Sequence, residues 1–414
     1  MKVLWLAPTP SLYQANSKYN SLYNGGGWVS SLEKLIYKSE NIDLAVGFFM
    51  DNEPFKSVQN NHTYYPIGTS NNKFDKILNK LSFDRSTKKE VENIIRVIED
   101  FKPDMIHIFG TEYSFGLISK LTKVPVVIHI QGILNPYDNA FFPPNDNLLN
   151  HFLNGDVKNF MNVYRTKRSF ELGGKREVQV MESCPNYTGR TNWDFSVSRI
   201  YNKNSKYYHI NEVLREEFYD TELPIKQSFE VDNKLKLITT ISKVPYKAFD
   251  LILKTAKILK ENIELDFEWN VYGIQDYKYW EKKLNIKSSD VNVNCNGVIN
   301  AKGLREKLIS SDIYIHPSYI DNSPNSLCEA QILSLPIIST NVGGISTLIN
   351  DNKTGMLCPA NDPYTLAYKI NLLYENQELR KELGGNGRVE ALERHNRDTI
   401  LKNIVSMYSE LSKS

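Results

Sequence analysis

Short apolar runs recur along this chain, and longer stretches with apolar residues at three- and four-residue spacing lie between them. Val3–Ala7, Ile42–Phe49, Thr63–Ile67, Met105–Phe109 and Val124–Ile130 are the runs of the first half. Leu235–Ser242, Phe267–Tyr272, Val291–Cys295 and Ile313–His316 repeat the pattern in the second. Runs this short and this apolar read as strands buried on both faces. The helical patterns between them, such as Val91–Phe101, Phe249–Lys260 and Gly303–Ser310, supply the crossovers that parallel strands require. The alternation predicts an α/β protein with two parallel sheets, each carrying helices on both faces. Val178–Met181 and Tyr207–Ile210 read as further strands of the first sheet.

A length of 414 residues fits two domains. The polar stretch 219–233 contains a proline and reads as the linker, giving domains 1–218 and 219–395. Ile400, Leu401, Ile404, Val405 and Tyr408 lie at helical spacing, so a helix over 396–412 is expected to pack back on the first domain. Net charge is only +2, which gives no reason to expect a nucleic-acid partner. Cys184, Cys295, Cys328 and Cys358 lack any C-x-x-C spacing and read as buried small hydrophobes, with neither a disulfide framework nor a zinc site. The N-terminal apolar run is too short for a signal peptide, and no run reaches the roughly 18 apolar residues of a spanning helix. The expected place is the cytoplasm, with the inner face of the cell membrane as an alternative. Lys158, Arg165, Lys167, Arg168, Lys175 and Arg176 outnumber Asp156 and Glu171 between residues 154 and 176. That excess reads either as a solvated helix face or as a contact with an anionic membrane or a pyrophosphate-bearing acceptor.

The densest chemistry lies in Ile315–Asp362. Ser323 is suited to cap a helix and Pro324 to occupy its first position, so a helix is expected from there to about Ser334. The free N–H groups of Asn325, Ser326 and Leu327 would then make a phosphate-ready end, with Glu329 one turn inside. Pro336 stops the helix, and the Gly343-Gly344 turn lets backbone come close to whatever the strand ends face. Together these features describe a pocket for a nucleotide diphosphate.

Near the N-terminus, Gly25-Gly26-Gly27 opens a helix reaching Tyr37. The turn is compatible with phosphate but is not the G-x-G-x-x-G of a dinucleotide site. The turns Gly110-Thr111-Glu112 and Gln131-Gly132 stand at carboxyl ends of strands, where ligands bind in such sheets. His129 and Gln131 share one strand face, whereas His107 reads as a core histidine. Tyr137, Phe141 and Phe142 make the loop 135–150 unusually apolar; it either lines an acceptor site or folds over the core. Gly189-Arg190 begins a helix whose N-terminus points to the same ligand edge.

Four landmarks, NGGGWV, KPDMIHIFG, SKVPYKAFD and HPSYIDNSPNSLCEA with VGG and NKTGML downstream, span nearly the whole chain. In these the chain resembles the retaining glycosyltransferases of family 4. The resemblance implies the GT-B architecture, two doubly wound Rossmann-like domains facing an interdomain cleft. By position, Glu329 matches the second acidic residue of the family's E-x7-E motif, which hydrogen-bonds the ribose of the donor. Asp321 matches the first, near the donor sugar, with Asp in place of Glu. Lys247 matches the lysine on the donor diphosphate, followed by Ala248 where the family has glycine, and Lys243 replaces an arginine. Gln131-Gly132 stands where the family often has His-Gly, leaving His129 as the candidate imidazole. Gly26 and Gly27 match the glycine pair near phosphate and acceptor, and Arg190 is placed on that side.

The resemblance thus implies retaining sugar transfer from a nucleotide-diphosphate donor, expected to be a UDP-sugar, to a glycan or lipid-linked acceptor. Bacterial surface polysaccharide synthesis is the implied setting. Lys243, Lys247 and the helix end would stabilise the leaving diphosphate, and the chain has no D-x-D, so neither metal nor cofactor is expected. A nucleotide-sugar 2-epimerase and a catalytically silent nucleotide-sugar-binding partner remain as alternatives.

Overall fold

The computed structural model describes residues 1–14, 27–39, 41–51, 53–59, 62–69, 83–219, 226, 228–230, 234–275 and 277–413. The chain divides into two units. Unit 1 comprises 1–135, 171–213 and 395–414; unit 2 comprises 136–170 and 214–394. The division falls at 213/214 and not within 219–233, and it assigns 136–170 to the second unit and not to the first. The physical reason for that assignment is the packing of Phe141, which is fully buried with its ring 5.5 Å from Phe170 and 6.2 Å from Tyr246. This part of the apolar loop therefore folds over the core of unit 2.

Unit 1 is built on eight strands: β1 (Lys2–Leu6), β2 (Asp43–Phe49), β3 (Ser57–Gln59), β4 (His62–Ile67), β5 (Met105–Phe109), β6 (Val126–His129), β7 (Asn186–Gly189) and β8 (Lys206–His209). Their order is β3-β4-β2-β1-β5-β6-β7-β8. All neighbours are parallel except β3 on β4. Unit 2 contains β9 (Leu235–Thr240), β10 (Phe267–Tyr272), β11 (Val293–Cys295), β12 (Ile313–His316), β13 (Ile337–Thr340) and β14 (Met356–Cys358). Their order is β11-β10-β9-β12-β13-β14, parallel throughout. Central strands such as β5 and β12 are buried along their whole length, as sheets covered on both faces require. Each sheet is doubly wound: its order reverses once, between β1 and β5 in unit 1 and between β9 and β12 in unit 2. Such reversals part the crossover helices and leave a crevice at the carboxyl ends of the strands.

One element differs in kind from the sequence reading. Val178–Met181 is not a strand but part of the helix Val157–Ser183. Burial there falls on Gly173, Gly174, Glu177, Val180, Met181 and Cys184, a helical spacing that a short window around Val178 and Val180 does not show. The strand that takes its place, β7, reads NYTG and carries no apolar run. Among the described residues no helix is long and apolar enough to cross a membrane. Cys184, Cys328 and Cys358 are buried and Cys295 is partly buried, none of them in a disulfide.

The helix Arg397–Leu411 belongs to unit 1 and is tied there through a polar contact inside the core. The buried Tyr408 hydroxyl accepts from Trp5 Nε1 at 2.9 Å and meets His107 Nδ1 at 2.6 Å. Burial pushes the His107 imidazole down to about 3, so the ring is neutral and Nδ1 can accept the tyrosine proton. Tyr408→Phe leaves an indole N–H and an imidazole nitrogen buried without that partner. It should lower stability by about 2 to 4 kcal/mol in urea unfolding, since each orphaned buried group costs about 1–3 kcal/mol.

Candidate functional site

The strand-order reversal of unit 2 brings together the loops that follow β9 and β12. After β9, a single 3-10 turn, Pro245–Lys247, leads into the helix Phe249–Glu261. Ala248 joins them in the left-handed region at φ 60°. This is the position where the resembled family has glycine, and an L-residue held there costs about 1–2 kcal/mol. The turn aims Lys247 at the loop after β12. Its Nζ lies 2.5 Å from Asp321 Oδ2.

Asp321 is buried and collects further donors. His316 Nε2, at the end of β12, lies 3.0 Å from Oδ2. The Tyr137 hydroxyl donates to Oδ1 at 3.3 Å and accepts the Asn322 N–H at 3.0 Å. Burial alone would raise the Asp321 carboxyl, but the Lys247 ammonium and His316 hold it well below the usual carboxylate range. Burial pushes His316 itself down, and Asp321 partly counters that. The glycine turn fixes the backbone beneath. Gly344 N–H donates to the Asp321 carbonyl at 3.0 Å, and a Cβ on Gly343, at φ +52°, would stand 2.0 Å from that oxygen. What the Gly343-Gly344 backbone approaches is thus the Asp321 loop.

The neighbouring helix runs Asn325–Ile332, shorter than expected, with Pro324 and not Ser323 at the N-cap position. Pro324 adopts extended backbone (ψ 116°), so the helical turn starts one residue later. Leu327 N–H is not free: it donates to the Pro324 carbonyl at 3.0 Å. The N–H groups of Asn325 and Ser326 precede any helical acceptor and form the open end. Ser326 Oγ accepts from the Tyr314 hydroxyl at 2.8 Å. Asn325 Oδ1 is buried without a hydrogen-bond partner among the described residues.

One turn on, Glu329 is gripped by a bidentate fork, with Arg215 Nε on Oε1 and Nη2 on Oε2, both at 2.7 Å. Burial pushes the Glu329 carboxyl up, and the Arg215 guanidinium counters without cancelling it. Each carboxylate oxygen keeps a lone pair for a further donor such as a hydroxyl. Lys243 stands apart, exposed, with its ammonium 5.8 Å from the centre of the Tyr277 ring.

In unit 1, Gly26 lies outside the described residues, and Gly27 is the first residue of the helix Gly27–Ile36. Trp28 Nε1 donates to Gln131 Oε1 at 3.1 Å, which orients that amide. His129 is buried, 5.0 Å from the Trp28 ring and parallel to His107 at 5.6 Å. Burial, then His107 and Arg190, push its imidazole far below the ordinary value, and neither ring nitrogen has a hydrogen-bond partner among the described residues. Arg190 is not an open acceptor-side cation: it is buried and forms an ion pair with Glu212. The Gly110-Thr111-Glu112 turn carries a second carboxylate pair. Glu177 accepts from Thr111 Oγ1 at 2.6 Å, Leu134 N–H at 2.8 Å and Asn135 N–H at 3.0 Å. Burial, with Glu177 adding to it, raises Glu112 to about 7, although Gly132 N–H donates to it at 3.0 Å.

Sequence reasoning missed Arg215 and His316 as site residues and named Tyr137 only as part of the apolar loop 135–150. His316 was visible inside HPSY, five residues before Asp321. Arg215 lies 114 residues from its partner in no motif.

Comparison with known proteins bears on the same region. Residues 221–390 match the model of the family "Glycosyl transferases group 1". That segment holds Lys243, Lys247, His316, Asp321 and Glu329, but neither Tyr137 nor Arg215. One curated relative is the Campylobacter jejuni GalNAc-alpha-(1->4)-GalNAc-alpha-(1->3)-diNAcBac-PP-undecaprenol alpha-1,4-N-acetyl-D-galactosaminyltransferase, 27% identical over 173 residues, 41% of this chain and 46% of that protein. The aligned segments span less than half the length of the curated relatives first matched. Among solved structures, sucrose-phosphate synthase from Thermosynechococcus elongatus superposes with a TM-score of 0.71 over 99% of both chains at 13% identity. Anabaena HepE in complex with UDP-glucose gives 0.63 over 99% of this chain and 100% of that one, at 15% identity. At these identities the likeness concerns the fold, which is GT-B.

Glu112 generates a pH prediction. Its folded value of about 7 exceeds the ordinary 4.5, so the unfolded chain releases this proton first and stability falls as pH rises between those values. Glu112→Gln removes that loss. The melting temperature of the variant relative to the natural chain should therefore be higher at pH 8 than at pH 5, by a few degrees in calorimetry.

Proposed function

We propose that the chain is a retaining glycosyltransferase that moves a sugar from a nucleotide-diphosphate donor to a glycan or lipid-linked acceptor. The observation that carries this reading is the Lys247–Asp321 pair at the strand-order reversal of unit 2, in a segment that matches a glycosyltransferase family. A crevice there beside an open helix end suits a diphosphate, and the pair supplies a cation held in place before the ligand arrives.

In this reading the leaving diphosphate takes its stabilisation from Lys247, from the N–H groups of Asn325 and Ser326, and from Lys243 when it swings inward. These charges make a divalent cation unnecessary to the proposed chemistry. Glu329, oriented by Arg215, accepts from the ribose hydroxyls. Asp321 already receives Lys247, His316 and Tyr137, and so acts as a positioning residue for Lys247 and not as a nucleophile. That engagement favours a same-face displacement, in which the departing phosphate oxygen takes the acceptor proton, over a double displacement through a free carboxylate. In unit 1, Gln131 is assigned to a sugar hydroxyl, with Gly27 close to the acceptor. A UDP-sugar is the proposed donor, in line with the UDP-glucose of the Anabaena structure. The Campylobacter enzyme's undecaprenol-linked acceptor supports a lipid-linked glycan and surface polysaccharide synthesis, from the cytoplasmic side.

A thermal-shift screen of UDP-, GDP- and dTDP-sugars tests the donor class. Binding at 100 times Kd adds about 2.7 kcal/mol to folding, a clear rise in melting temperature. No rise with any nucleotide sugar removes the proposal, and donor binding without transfer across a glycan and lipid-linked acceptor screen removes its catalytic part. Lys247→Ala should lower kcat by about 10²- to 10³-fold, the loss typical of one well-placed charge stabiliser. Turnover close to normal at saturating donor would show the assignment to be wrong. Glu329→Gln should weaken donor binding in calorimetry, and an unchanged nucleotide affinity would rule out the ribose contact.

A further inference from the structure

The helix Leu148–Asn154 in unit 2 is amphipathic in an inverted sense. Its inward face is polar: His151 is buried, its Nε2 2.9 Å from Asp146 Oδ2 and its ring stacked on Tyr279 at 3.8 Å. Asp146 also accepts from Lys283 Nζ at 2.5 Å and from the Tyr279 hydroxyl, so the helix is clamped through charge and hydrogen bonds. Its outward face is apolar, with Leu149, Phe152 and Leu153 62%, 63% and 61% exposed. A helix that hides its polar face and displays its apolar one has no account in the folding of a chain that stays in water.

The apolar face continues past Gly155 into the helix Val157–Ser183. Val157 is 80% exposed and Tyr164 44%. Phe160 bridges the two helices, its ring 5.4 Å from Phe152 and 6.1 Å from Tyr164. The border of this strip is cationic, with Lys158, Arg165 and Arg168 all exposed. Asp156, the one acid in 148–170, spends its carboxylate on the Asn159 N–H at 2.6 Å.

We propose that this helical pair docks the chain on the surface of an anionic phospholipid bilayer. Leu149, Phe152, Leu153 and Val157 enter the boundary between headgroups and acyl chains, and Lys158, Arg165 and Arg168 meet lipid phosphates. Apolar residues rimmed by Lys and Arg, with aromatic rings at the border, are what an interfacial helix presents to such a surface. A second copy of the chain fits poorly, because the cationic borders of both copies would face each other. Three of the six basic residues between 154 and 176 thereby acquire a partner, whereas Lys167 is paired with Asp138 and Arg176 donates to the Glu112 carbonyl.

Flotation of the whole chain with phosphatidylglycerol/phosphatidylcholine vesicles, against pure phosphatidylcholine, tests the proposal. No sugar nucleotide is present, so the outcome is independent of the transferase reading. The chain should float with anionic vesicles and be released as salt rises from about 0.1 M to 1 M, where the screening length shrinks from about 10 Å to about 3 Å. Phe152→Glu with Leu153→Glu should cut the bound fraction about tenfold without changing the melting temperature, since both side chains face solvent. Lys158→Glu with Arg165→Glu should weaken binding and flatten its salt dependence. Absent flotation, equal flotation with neutral vesicles, or full binding by the Phe152/Leu153 variant overturns the proposal. So does sedimentation showing a dimer that this variant dissociates, which would assign the face to a second copy.

Discussion

A carboxylate kept charged inside the protein organises the ligand edge of unit 2. Asp321 sits where burial by itself would favour the neutral acid. Lys247 from the turn after β9, His316 from the end of β12 and Tyr137 from the segment 136–170 converge on its two oxygens, while the Gly343-Gly344 turn holds its backbone. Each of these groups is in turn positioned by the carboxylate. A buried ion pair of this kind adds little to net stability, because desolvation offsets most of its attraction. What it does provide is a lysine with one direction to point before any ligand is present, next to a helix end with open N–H donors. Glu329 and Arg215 repeat the arrangement one helical turn deeper, again with a cation contributed from a distant segment.

Unit 1 treats its interior polar groups in another way. His107 and His129 are neutral by burial, and the first meets the Tyr408 hydroxyl through Nδ1 and stands edge-on to Trp5. Glu177 exhausts its acceptor capacity on the turns after β5 and β6. Arg190 and Glu212 neutralise one another out of water. The two sheets share a winding, yet in unit 1 these networks serve to lock turns and to join the last helix to the sheet.

Much of the architecture was legible because parallel strands buried on both faces must be short and apolar, and helices between them must repeat at 3.6 residues. The failures have physical causes as well. Val178–Met181 looks like a strand in a four-residue window, and only the longer burial pattern of the helix shows otherwise. β7 is too polar to announce itself, since NYTG contains one aromatic and no aliphatic residue. The segment 136–170 was assigned to the first domain because chain order says nothing about which core Phe141 will enter.

The resemblance supplied the doubly wound order and the place of Lys247; by itself the sequence determined the alternation of short buried strands with helices, the glycine turn, and the helix that carries Glu329. These follow from local rules: periodicity, capping chemistry, and the backbone freedom of glycine. Tertiary structure alone decided what those residues touch. It paired Lys247 with Asp321 and Glu329 with Arg215, committed Arg190 to Glu212, and turned Leu149, Phe152 and Leu153 outward. Partners separated by 74 or 114 residues are chosen by strand order and packing, which no local pattern encodes.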